Sequence, residues 1–299
     1  MKDINVQSMN QMNLVGKLMN VNFGEGKMSD GRDYKRATVT IRVTQPVDGK
    51  EETSEIPVSF FASPYTKTGK PNPAYKSLVD LKELKTAQNV GVDAADQVRI
   101  TSGALSENNF VSRNGNLISG FQIRGSFINQ TKITDSAATF NTEIYIMDIH
   151  DEFDRNEEPT GRLVVRGGIV QYGGRLDVLD FIVEAPDKVE FVSSHWVKNT
   201  TQRVNGRVRV TSQEVEKSTE SSGWGEEISE TTTTFVRELI ITGGDDDPKD
   251  EDFSYDPNDI KKAFNIRKAM IEQMQIDARS KIPSGGSSNH TDAKKYEWE

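Results

Sequence analysis

The side chains of this chain that can do chemistry are flat rings and cations, and they interleave through its first half. Lys17, Phe23, Lys27, Arg32, Tyr34, Lys35, Arg36 and Arg42 come first, then Phe60, Tyr65, Lys67, Lys70 and Tyr75, then Phe110, Arg113 and Arg124. Aromatic faces accept stacked bases at about 1–3 kcal/mol per base, and lysine or arginine along the same path neutralises phosphates. Interleaved in this way, the set points to single-stranded nucleic acid as the ligand. A sparser set follows in the second half: Arg166, Tyr172, Arg175, Trp196, Lys198 and Arg203. Phe61, Phe121 and Phe127 are read as core, because phenylalanine is usually buried.

Other chemistries are poorly supplied. There is no cysteine, hence no thiolate nucleophile, thiolate metal ligand or disulfide. The three histidines, at 150, 195 and 290, are widely spaced, and neither GxxxxGK[ST] nor GxGxxG occurs. The acidic run DDDPKDED at 245–252 lacks the alternating ligands and turn glycine of a calcium loop. The expectation is a binding protein and not an enzyme, with no catalytic residue, no metal and no cofactor.

The elements that must position these residues read as short strands. The organising stretch is Val98–Gly125, which opens on VRITS, turns at Asn114-Gly115 and returns through Leu117, Ser119, Phe121 and Ile123. VRVTS at Val208, followed by a Ser/Thr-rich loop containing Trp224 and by FVRELIITG, repeats it. Before the first copy come a strand at Asn13–Val21, a turn at Gln45–Lys50 and a strand at Glu55–Ala62. Between Asn13–Val21 and the turn lies Ala37–Val43, where Ala37, Val39, Ile41 and Val43 alternate with polar residues. Arg36, Thr40 and Arg42 then share the polar face. A short amphipathic helix is expected at Ala74–Leu84.

Three strands, a helix and a hairpin is the order of an OB-fold, a five-stranded Greek-key barrel. The expected class is mainly β: two OB-fold barrels in tandem, with a C-terminal helix and a flexible tail. The first spans 1–130. A linker at 131–160 carries an extra strand at Thr139–Ile149. The second barrel spans 161–243, with a strand at Leu176–Val183, a third strand from Val189–Val192 and Trp196-Val197, and no convincing helix. An acidic linker follows at 244–256, then a helix at 257–282 begun by Asp256-Pro257, then a tail at 283–299. The helix stripe is Ile260, Phe264, Ile266, Met270, Ile271 and Met274.

Charge divides along the same lines. The net charge is −9, yet residues 1–140 carry 17 Lys/Arg against 14 Asp/Glu, whereas 141–243 carry 11 against 19. The first module is the basic one. No apolar run approaches the ~20 residues of a membrane span, and the polar N-terminus has no signal-peptide core. A cytoplasmic location is expected.

On NLVGKL, KRATVTIRV, EIPVSFFA and QVRITSGALSENNFVSRNGN…FQI, the sequence resembles single-stranded DNA-binding proteins of the tandem OB-fold type, as in phage replication and recombination. The resemblance covers 16–128 well and 161–243 in outline. It implies sequence-independent binding and protection of single-stranded DNA in replication, recombination and repair, with RNA an open alternative. The second strand and the loop between strands four and five would carry the contacts. Replication or recombination partners, reached through the acidic linker, helix and tail, and oligomerisation are further implications. The competing reading is a β-barrel structural, assembly or protein-interaction protein, such as a virion component or scaffold.

Overall fold

A computed structural model describes residues 1–66, 68–112, 114–154, 156–218 and 229–280, with side chains of 213–218 and 229–234 left aside. Within these residues the chain is mainly β, with one large sheet and a long C-terminal helix. Lys67, Arg113, the Trp224 loop and the tail lie outside the described residues.

The strands are β1 (Asn10–Lys27), β2 (Asp33–Val47), β3 (Lys50–Ala62), β4 (Gln97–Val111), β5 (Leu117–Gly125) and β6 (Ile128–Gln130). They continue with β7 (Ala137–Phe153), β8 (Pro159–Val170), β9 (Leu176–Val183), β10 (Thr201–Ser218) and β11 (Ser229–Gly244). The alternation read at 37–43 holds: Ala37, Val39, Ile41 and Val43 all point into the core. The β2–β3 hairpin turns on Asp48-Gly49, both at positive φ, between the paired Val47 and Lys50. That is the two-residue turn whose twist matches the flanking strands. At the expected Asn114-Gly115 turn only Gly115 has positive φ, and the strands stop at Val111 and Leu117, so that loop is longer than two residues.

The pairings close twice. β1 pairs with β2, β2 with β3, β3 in parallel with β5, β5 with β4, and β4 with β1 again. β7, β8, β9, β11 and β10 repeat that cycle, with β9–β11 the parallel pair. Each cycle is a ring of five strands. The rings meet where β1 and β7 pair antiparallel, Met12 opposite Phe140. Close approach demands a glycine inside each ring: a Cβ on Gly16 of β1 would lie 2.3 Å from the Arg42 carbonyl oxygen of β2, and one on Gly206 of β10 2.0 Å from that of Ile240 of β11.

Three expectations are corrected. Residues 139–149 belong to β7, whose pairings make it the first strand of the second ring and not a strand in a linker. Residues 186–195 form helix α3, not a strand. It occupies the place between β9 and β10 that α1 (Pro73–Asp80) occupies between β3 and β4, so each ring has its helix. A short α2 (Ala87–Val90) follows α1. Finally, VRITS and VRVTS are not in step. Gly103 opposes Met12 of β1, and Gly206 opposes Phe140 of β7; VRITS precedes the first glycine, while VRVTS follows the second.

A charged cluster locks the rings together beside the seam. Arg207 of β10, nearly buried, pairs with Glu52 of β3 and with Glu184. Arg209 reaches Glu52, Glu184 and Glu238, and Arg162 reaches Glu152, Glu184 and Glu238. Burial alone would raise the Glu152 carboxyl, but hydrogen bonds from Arg162 and Thr160 outweigh it and hold the group below its ordinary value of 4.5. A depressed carboxyl contributes stability that is full above its unfolded value and is lost as pH falls through its folded one. Denaturant midpoints should therefore decline below about pH 4.5, and Glu152→Gln should flatten part of that acid slope. An unchanged slope in the variant would show that Glu152 contributes nothing to it.

The C-terminal helix α4 (Pro257–Ser280) begins as read, with Asp256 Oδ1 accepting from the Asn258 N–H at 2.7 Å. Ile260 and Ala263 pack with Tyr145, Val170, Leu176 and Tyr255 on the second ring. Arg267 pairs with Glu107 of β4. Ile266, Met270 and Met274 remain exposed. Residues 2–8 fasten the start of α4: Lys2 pairs with Glu143 and sits over the Tyr255 ring, whose hydroxyl donates to the Val6 carbonyl at 2.8 Å. Among the described residues no helix is long and apolar enough to cross a membrane.

Candidate nucleic-acid interface

The outer face of the first ring brings rings and free cations together. On β2, Tyr34, Arg36, Thr38, Thr40 and Arg42 alternate with the buried residues and so stand outward. Arg36 is paired with Phe61 of β3 on one side and Gly24 of β1 on the other. A Cβ at Gly24 would lie 2.6 Å from Arg36 Nε, and one at Gly26 2.9 Å from Tyr34 Oη. Glycine at 24 and 26 therefore leaves a floor on which the guanidinium and the phenol lie across the strand. Tyr34 and Phe61 stack with centroids 5.0 Å apart and planes tilted by 30°. Phe61 keeps 59 % of its surface exposed. In the next strand Arg124 of β5 is paired with Ser59, two residues before Phe61 and on the same side.

Phe61, read as core, is thus the exposed ring, and Phe60, read as a contact, is 3 % exposed in the core. One residue of parity separates them. The β2 ladder decides it: Phe60 opposes the inward Ala37, and Phe61 the outward Arg36.

The other residues of the first set disperse. Arg42 shares this face but is tied to its cross-strand neighbour Glu55, Nη2 to Oε1 at 2.6 Å. Lys17 donates to the carbonyls of Asp93 and Ala95 and holds the loop before β4. Phe23, Lys35 and Tyr75 gather instead near α1, with Lys35 over Tyr75 and Lys82 over Phe23. Arg32 is bound to Asp30, whose hydrogen bonds raise the guanidinium and lower the carboxyl. Lys27 stands 4.0 Å from Asp33. Tyr65 and Lys70 are exposed on the loop leading to α1, and Phe110 is exposed opposite Ile118 near the end of the β4–β5 hairpin.

The second ring offers less. Arg166 is held by Asp180, Arg175 by Asp177 and Lys198 by Asp148. Arg203 donates to Asn141. Trp196 is buried against Gly244. Tyr172, 85 % exposed beside Gly173-Gly174, stands apart from the Tyr34–Phe61 face. A cation already bonded to a carboxylate must break that contact before it can hold a phosphate. Arg36 and Arg124 make no ion pair among the described residues. Phe61, read as core, belongs to this face; glycines at 24 and 26 opposite Arg36 and Tyr34 were the available signal for the floor.

The family model described as YorF matches residues 8–277. No curated protein matches the sequence. Among solved structures the chain is similar to the wild-type single-stranded DNA-binding protein from Thermus aquaticus, with a TM-score of 0.51, 12% identity, and 85% of this chain and 99% of that one covered. A deletion mutant of the same protein gives 0.51 at 14% identity, covering 84% and 98%. At such identities the likeness is one of fold.

Proposed function

We propose that this chain, which belongs to the YorF family, binds single-stranded DNA without sequence preference. The two five-stranded rings are on this reading OB-folds in tandem, and the first is the binding one. The observation that carries the proposal is the outer face of that ring, where the stacked Tyr34 and Phe61 stand beside Arg36 and Arg124, neither of them spent on a carboxylate. Stacking accepts any base, and the cations meet the backbone common to all sequences. On this reading the second ring is the weaker contact surface, because Arg166, Arg175 and Lys198 are each held by a carboxylate. Protection of single strands during replication or recombination, without catalysis, is the corresponding role.

Anisotropy of a labelled thirty-nucleotide oligo-dT, titrated beside a matching duplex, tests it. Tight binding of the single strand is expected, with log K falling linearly in log salt at about −0.7 per phosphate contacted. Equal affinity for the duplex, or binding indifferent to salt, would sink the proposal. No binding at low salt would leave the rings as protein-interaction modules.

A further inference from the structure

We propose that the groove at the seam of the two rings is a second contact site for the same single strand, one that only a longer polynucleotide reaches. The inference rests on the reading above but concerns different residues. The groove has a volume of about 890 Å³, with walls from β1, β4, β7 and β10. That is room for more than one nucleotide unit, since pockets of about 300–1,000 Å³ enclose drug-sized ligands.

Its lining is chemically selective. In a chain with 46 Asp and Glu, no carboxylate lines it. Gln11 and Asn13 of β1 face Asn141 and Thr139 of β7, their paired partners, with Asn205 on the β10 side. Arg99 of β4 is exposed in the same wall and makes no ion pair among the described residues. Arg203, next along β10, holds Asn141, and the nearest carboxylate on β7, Glu143, is tied to Lys2. Carboxamides carry both donors and acceptors, as base edges do. An acid-free trough of carboxamides and hydroxyls with an unpaired guanidinium therefore suits a polyanion bearing polar heterocycles. A second copy of the chain, acidic overall, would bring carboxylates instead, and Arg99 is the one cation among the lining residues to balance them.

The test compares oligo-dT of eight nucleotides, enough for the first-ring face, with thirty. Arg99→Glu should weaken the long oligomer about tenfold and lower its salt slope by about 0.7, leaving the short one unchanged. Phe61→Ala should weaken both. Because the chain has no cysteine, Thr139→Cys carries a single fluorophore in the groove, and its emission should change with the long oligomer alone. Unchanged affinity for both lengths in Arg99→Glu, or equal loss for both, overturns the second site while the first-ring reading stands. Failure of the unaltered protein to bind either length removes both readings. Circular dichroism of each variant, expected to match the unaltered protein, separates lost binding from lost fold.

Discussion

Phe61→Ala should weaken binding of a thirty-nucleotide oligo-dT by about 1–3 kcal/mol, roughly fivefold to 150-fold, the worth of one base stacked on an aromatic face. The ring is 59 % exposed, so its loss opens little core and the melting temperature should hold. Tyr34→Ala should cost a similar amount. Since the two rings touch, with centroids 5.0 Å apart, the double variant should lose less than the sum of the two. Full additivity would place the rings under separate bases, and no loss in either single variant would remove this face from the interface.

Arg207→Met should cost about 3 kcal/mol of stability, the largest single effect expected away from the binding face. The side chain is 9 % exposed, and its guanidinium answers Glu52 of the first ring and Glu184 of the second. Removing it leaves the partly buried Glu52 and Glu184 with Arg209 as the cation they share and Arg162 at 4.0 Å from Glu184, so their desolvation is only partly offset. Urea midpoints measure the loss. Glu52→Gln added to Arg207→Met should recover part of it, because the charge stranded by the first change is then gone. A midpoint shift of a few tenths of a kcal/mol would mean that the cluster is as solvated as an ordinary surface pair.

How much of this was legible depended on whether the signal was local. The inward run Ala37–Val43 and the helix start at Asp256-Pro257 are set by neighbours in sequence, and both stand as read. Helix α3 is the opposite case. Val189, Phe191 and Val192 suggest a strand by propensity. Yet Pro186 in its first turn is a helix start, and the place of the helix after β9 is fixed by the ring. The exchange of Phe60 and Phe61 shows how fragile a site assignment is in a strand, where one residue reverses inside and outside. The seam was illegible for another reason: Met12 opposite Phe140 and Glu52 beside Arg207 are contacts between distant residues, and no local pattern announces them.

The fastening of residues 2–8 to Tyr255 has a consequence for a chain made one residue at a time. At the usual 5–20 residues per second, the N-terminal segment waits for its partner about 12–50 s while roughly 250 further residues are added. The edge of β1 at Asn10–Val15 waits as well, since β7 must first emerge. An unpaired strand edge on a nascent chain is open to adventitious pairing. Residues 2–15 are thus made well before their partners and secured late, and a holding chaperone or slow synthesis would matter most over that interval.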